Sequence, residues 1–181
     1  MSDTRQVLLC GLGGQGVVLA GRLLGAAGFA DGLHVSGTSS YGAAARGGEC
    51  RSEVVLSSGP IGFPFVTAVD VLVALSQSAY ARYINWTRKD GALVFYDPSG
   101  VEPSEGSVQK HVAVPAAETA ERILGTRLGA NIVMLGAVAH AAELVSMDSL
   151  AAVVRDRSPA RFRQQNLKAL DAGAELGRGL P

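Results

Sequence analysis

The stretch RQVLLCGLGGQGVVLAGRLLGAAGFA, residues 5–30, changes its hydrophobic period part-way along, and that change decides the fold. Arg5 to Cys10 is an apolar run of strand length. From Val17 to Ala30 the apolar residues Val17, Leu19, Ala20, Leu23, Leu24 and Ala27 return at helical spacing. Between the two lies GLGGQG, residues 11–16. The order is strand, glycine turn, helix. Gly28 and Gly32 end the helix, and LHVSG (Leu33 to Gly37) reads as a second strand, so the chain opens with a β-α-β unit of a parallel sheet and a right-handed crossover.

Working outward, Thr38 to Gly48 (TSSYGAAARGG) has no clean period and is expected to be a loop, with a helical turn across its alanines. In ECRSEVVLS, residues 49–57, Cys50, Ser52, Val54 and Leu56 alternate with Glu49, Arg51, Glu53 and Val55, which predicts a half-exposed strand near a sheet edge. Asp70 to Leu75 is a continuous apolar strand, followed by a helix expected to run on to Gly91, and ALVFYD returns as another buried strand. SVQKHVAV adds a strand at the sheet's margin, and Pro115 opens the helix AAETAERILG. The run NIVMLGAVAHAAELV is apolar nearly all round, so it needs cover on most sides, from its own domain or a partner. Ser158-Pro159 begins the last helix in cap-then-proline order. With no repeat or long linker, residues 1–181 read as one α/β domain: a Rossmann-like, mostly parallel sheet with flanking helices and a helical C-terminal tail.

The 181 residues suffice for a real hydrophobic core. With 48% hydrophobic and 18% charged residues, and 16 basic against 16 acidic, the chain is neither a disordered polyampholyte nor a general nucleic-acid binder. Cys10 and Cys50 lie far apart with no C-x-x-C spacing, which argues against a zinc or iron–sulfur site in this chain. The N-terminus lacks a signal-peptide pattern, and the apolar run from Ile132 to Val145 is too short and too interrupted to span a membrane, so a cytoplasmic protein is expected.

Gly11-Leu-Gly13-Gly14-Gln15-Gly16 satisfies G-x-G-x-x-G in the position where glycines let a phosphate approach backbone N–H groups at a helix N-terminus. A dinucleotide site also wants an acidic residue at the end of the second strand, and none is there: Asp31 precedes the strand, whose end reads Ser36-Gly37-Thr38-Ser39. The alternative is that Gly11, Gly13 and Gly16 serve only a sharp turn and close helix–sheet packing. Gln15 offers a neutral donor and acceptor to a ligand amide or a partner's backbone. A second cluster, Ser40, Tyr41 and Arg46-Gly47-Gly48, is expected beside the first at the carboxyl edge of the sheet, with Arg46 able to clamp a phosphate or carboxylate, or merely to order its loop.

Other candidates have plainer readings. His34, His111 and His140 are dispersed and form no triad, so no catalytic residue is assigned. Cys10 reads as core. Tyr80, Tyr83 and Trp86 share a helical stripe of packing or subunit contacts, and Arg155, Arg157, Arg161 and Arg163 form either a solvated face or a dock for an acidic neighbour such as a ferredoxin-like subunit.

Together, GLGGQGVVLAGRLLGAAG at 11–28 and SYGAAARGG at 40–48 resemble the gamma subunit of 2-oxoacid:ferredoxin oxidoreductases, with supporting similarity to about Val145. The resemblance implies a non-catalytic gamma-type domain of an enzyme that converts a 2-oxoacid and coenzyme A to acyl-CoA and carbon dioxide while reducing ferredoxin. It implies thiamine-binding alpha and beta subunits and a ferredoxin-like subunit as partners, carrying the thiamine diphosphate and iron–sulfur clusters. It also links Gly11, Gly13, Gly14, Gln15, Gly16, Ser40, Tyr41, Arg46 and Gly47 to coenzyme A binding. One departure stands out: Ala43, Ala44 and Ala45 occupy positions where the family usually has a small residue, a glutamate and a longer side chain. Two other readings remain, an autonomous NAD- or FAD-dependent oxidoreductase and a free-standing CoA- or anion-binding module. In isolation the apolar helix favours a homodimer.

Overall fold

The computed structural model describes residues 4–41, 48–104 and 106–180. β1 (Thr4–Leu12) lies inside a six-stranded sheet. On one side it pairs antiparallel with β3 (Glu49–Ser57), which pairs antiparallel with β2 (His34–Tyr41) at the edge. On the other side β4 (Val71–Ala74), β5 (Leu93–Tyr96) and β6 (Lys110–Ala113) follow in parallel. All strands but β3 therefore run the same way. The β-α-β opening is present, yet β3 is inserted between its two strands.

This insertion corrects the expected edge position of residues 49–57. The charged face of β3 is covered rather than solvated: Glu53 is only 7% exposed, its Oε1 accepts a hydrogen bond from Arg51 Nε at 2.8 Å and its Oε2 accepts one from the Val66 N–H at 3.3 Å. The Arg51 guanidinium lies over the rings of Trp86 and Tyr83, 5.2 and 5.6 Å from their centroids. Paired charges under aromatic cover mimic a solvated face in the sequence.

β2 also extends further than expected, through Thr38 to Tyr41, because each of these residues has a partner on β3. The helix after β4 is shorter: α2 covers Gln77–Tyr83, and a 3-10 turn, Ile84–Trp86, follows. The chain leaves the helix there because Val69 and residues 86–88 exchange backbone hydrogen bonds, Val69 N to Trp86 O and Arg88 N to Val69 O, each 2.9 Å.

The sheet is covered on both faces. α1 (Val17–Ala30) packs on Val7, Leu9, Val54, Leu56 and Val73, and on the same side lie α3 (Ala116–Leu124), α4 (Ala130–Ala141), α5 (Met147–Arg157) and α6 (Ala160–Arg178). α2 covers the opposite face with Ala79, Tyr80 and Tyr83 on Leu8, Cys10, Leu72, Ala74 and Val94. In α4 residues 131–139 are all buried, so its apolar surface is covered within this chain. The cover comes chiefly from α6, whose Gly173 and Gly177 meet the α4 backbone at Val133 and Ala137 with no room for a Cβ. Ser158 does not cap α6: Pro159 holds the cap position, and the Ser158 hydroxyl accepts a hydrogen bond from Asn166 Nδ2 at 2.9 Å.

Candidate functional site

The glycine turn sits at the carboxyl end of β1. Gly11 is buried, and a Cβ there would lie 3.1 Å from both Leu75 Cβ and Val17 Cγ2, so this glycine serves close helix–sheet packing. Gly14 and Gly16 have φ of 100° and 74°, in the left-handed region. Gly14 faces open space, whereas a Cβ on Gly16 would press on the Asn131 amide, whose Nδ2 donates to Gly16 O at 3.2 Å. Gly13 N–H donates to Gly48 O at 2.8 Å, tying the first glycine cluster to the end of the second. Gln15 spans the turn: its Oε1 accepts from Leu12 N–H at 2.6 Å and its Nε2 donates to Leu75 O at 2.8 Å. Both the oxygen and the nitrogen of the Gln15 amide are therefore engaged within the chain. Among the described residues, no side chain caps the start of helix α1.

Because α1 and α2 leave β1 and β4 on opposite faces of the sheet, a crevice opens outside the carboxyl ends of these neighbouring strands. Two adjoining cavities occupy this end. One, of about 430 Å³, is lined by Gly14, Gln15, Asp97, Ser99 and Arg127 among others. The other, of about 340 Å³, is largely apolar and includes Gly16, Leu19, Leu128, Asn131 and Phe162. Gly14, Gln15, Thr126 and Leu128 border both. Asp97, at the end of β5, is buried with both oxygens engaged. Oδ1 accepts from Ser99 N–H at 2.9 Å and Ser99 Oγ at 2.7 Å, and Oδ2 accepts from Ala117 N–H at 2.7 Å at the start of α3. It fixes the cavity wall.

Gly14, Gln15 and Gly16 border this crevice, whereas Gly11 is buried in the packing beneath the turn and Gly13 lines neither cavity. Ser40 and Tyr41 end β2 at the same sheet edge, both exposed, with β3 between them and β1. Arg46 and Gly47, with Ala43, Ala44 and Ala45, lie outside the described residues. The contributions of Asn131, Asp97, Thr126, Leu128 and Phe162 were not read from the sequence. Asn131 alone carried a signal, as a polar residue at the head of an apolar helix. Cys10 is fully buried, and burial, reinforced by Cys50 and Glu49, pushes its thiol far above the usual range, so it stays protonated. Tyr80 and Tyr83 are packing residues. Tyr80 Oη is 2.9 Å from His111 Nε2.

Residues 6–176 match the model of the family described as pyruvate ferredoxin/flavodoxin oxidoreductase. The chain belongs to this family. It is 40% identical over 179 residues to 2-oxoglutarate synthase subunit KorC of Methanothermobacter thermautotrophicus, covering 95% of this chain and 94% of the relative. The gamma subunit of a keto/oxoacid ferredoxin oxidoreductase from Geobacter sulfurreducens superposes with a TM-score of 0.85 at 30% identity, covering 98% of both chains. The 2-oxoglutarate:ferredoxin oxidoreductase of Magnetococcus marinus, solved with 2-oxoglutarate, coenzyme A and succinyl-CoA bound, superposes with a TM-score of 0.89 at 26% identity over 99% of this chain and 32% of that one. As a gamma-type member, the chain is one subunit of a 2-oxoacid:ferredoxin oxidoreductase, and a free-standing nicotinamide or flavin enzyme is not favoured. No helix among the described residues is long and apolar enough to cross a membrane.

Proposed function

We propose that residues 1–181 form a single gamma-type domain, working in the cytoplasm, of a complex that oxidises 2-oxoglutarate, and that this chain supplies assembly contacts and part of the coenzyme A site. The reaction joins 2-oxoglutarate and coenzyme A to give succinyl-CoA, carbon dioxide and a proton, with two electrons passing to ferredoxin. Thiamine-binding alpha and beta subunits would carry the bond cleavage, and they and a ferredoxin-like subunit would hold the thiamine diphosphate and iron–sulfur clusters. The observation that carries the choice of oxoacid is the end-to-end 40% identity to a 2-oxoglutarate synthase subunit.

The coenzyme A role rests on the crevice itself. Its uncapped α1 N-terminus and positive-φ glycines suit an anionic phosphate approaching the backbone, and the apolar cavity beside them suits an uncharged arm. In this reading Gly14 and Gly16 present N–H groups, the Gly13 N–H and Gln15 keep the turn in shape through their bonds to Gly48, Leu12 and Leu75, and Ser40, Tyr41, Arg46 and Gly47 contribute to coenzyme A binding from the second cluster. No proton transfer is assigned to this chain.

The test uses the intact complex, with kcat/KM measured for 2-oxoglutarate, pyruvate and a branched-chain 2-oxoacid, and again with Arg46→Ala. We expect 2-oxoglutarate to be preferred and Arg46→Ala to raise KM for coenzyme A while leaving KM for the oxoacid unchanged. Preference for another oxoacid would overturn the substrate assignment. An unchanged KM for coenzyme A would overturn the Arg46 role.

A further inference from the structure

Helix α1 exposes a stripe that lies outside the glycine-turn site beyond its first residue, Leu19. Leu19, Arg22, Ala26 and Phe29 follow one another at helical spacing, and Leu19 and Phe29 are 45% and 76% exposed. Leu19 lines the apolar cavity described above, together with the exposed Leu128 and Phe162. Arg22, Ala26 and Phe29 line a separate groove of about 580 Å³ between α1 and the outer part of the sheet, bounded by Tyr41 and by Arg157 at the end of α5. The groove floor includes Gly21, Gly25 and Gly37, which leave it without side chains there.

The charge of this surface is one-sided. Among the described residues, no Asp or Glu lines either the groove or the apolar cavity, although the whole chain balances 16 acidic against 16 basic residues. Arg22 and Arg157 make no ion pair among the described residues. Large exposed apolar side chains clustered around uncompensated arginines are the mark of an interface rather than of a solvated face. Arginine is also suited to pairing with carboxylates across such a surface.

Resting on the subunit reading above, we propose that the exposed face of α1, with Arg22, Phe29, Tyr41 and Arg157, docks a segment of a partner subunit that presents apolar side chains flanked by carboxylates. The arginines pair with the carboxylates, and Phe29 is buried by the apolar side chains.

The experiment titrates this chain onto the remaining subunits, purified anoxically from cells lacking it, and compares wild type, the double variant R22E/R157E and the control K89E. Lys89 is an exposed turn residue that lines neither cavity. Circular dichroism and thermal unfolding establish that each variant is folded. We expect R22E/R157E to bind at least about tenfold more weakly, and K89E to bind as wild type does. Equal affinity for all three would overturn the docking assignment while leaving the subunit reading intact. Loss of self-association alone, seen by light scattering with binding to the other subunits unchanged, would assign the face to a second copy and equally overturn it. Failure of the wild-type chain to bind the other subunits would remove both readings.

Discussion

Replacing Gly173 by alanine sets two energies of opposite sign against each other. In a helix interior, glycine to alanine stabilises by about 0.5–1 kcal/mol through backbone entropy. At Gly173, however, the new Cβ would collide with the Val133 carbonyl oxygen and lie 2.9 Å from its carbonyl carbon and 3.1 Å from Ala137 N, all backbone atoms of α4. Carbon–carbon contacts are optimal near 3.5–4.0 Å, so the helices must part by roughly 1 Å at the crossing. Overpacking of this kind costs about 1–3 kcal/mol, occasionally more, and a backbone neighbour places this site at the upper end. The net expectation is a loss of about 2 kcal/mol, or a fall in Tm of about 4–8 °C for a chain of this size. Gly25→Ala is the matched comparison. Its Cβ would meet only the methyl ends of Val35, at 3.3 Å, and Val54, at 3.9 Å, so that variant should be neutral or gain up to about 1 kcal/mol. Urea unfolding of the purified chain reads both. If Gly173→Ala matched Gly25→Ala in sign, the close α4–α6 crossing would be wrong, and with it the account of how α4 is covered.

Three further outcomes follow from single side chains. Gln15→Ala removes the bonds to Leu12 N–H and Leu75 O and should cost about 1–2 kcal/mol in urea unfolding; an unchanged midpoint would mean that the glycine turn holds its shape without the Gln15 strut. At Asp31, partial burial raises the carboxyl pKa, but hydrogen bonds from the Ser146 and Ser149 side chains and the Ser146 backbone N–H outweigh it and hold the group below its ordinary value. The folded-state pKa is the lower one, so the contribution is complete above the unfolded pKa and vanishes as pH falls through the folded one. Asp31→Asn should therefore lose only about 0.5–1 kcal/mol at neutral pH, given the exposure of the site, and the gap to wild type should close in acid; a gap that widened in acid would contradict the sign. Cys10 and Cys50 are buried with raised thiol pKa values, so a thiol reagent should label neither until the chain is unfolded, and rapid labelling of the native protein would refute their placement.

The helix α1 and strands β1, β4, β5 and β6 were legible because their apolar residues follow one period and glycine or proline marks their ends. β3 misled because periodicity reports which residues are polar, and not whether a salt bridge beneath Trp86 and Tyr83 hides them. The interior place of β3 is set by pairing with strands on either side of it in space, which no local pattern encodes. At the site, Gly11 to Gly16 could be read because strand–turn–helix geometry is local. Asn131 under Gly16 and Phe162 beside it reach the crevice only through the packing of α4 and α6, so the sequence places them in helices and says nothing of where those helices cross, and Leu128 reaches it from the 3-10 turn before α4. Gln15 shows the converse: its position was legible and its bonding was not, since its amide is held by Leu12 and Leu75, the latter at the end of a strand sixty residues away.

The most direct test of the central claim is a gentle affinity purification of this chain from its own cells under anoxic conditions, with mild crosslinking, mass spectrometry and cofactor analysis. The account predicts stoichiometric partner chains, thiamine diphosphate and iron, in a preparation that reduces ferredoxin when given 2-oxoglutarate and coenzyme A. Recovery of the chain alone, after crosslinking and without thiamine diphosphate or iron, would contradict it.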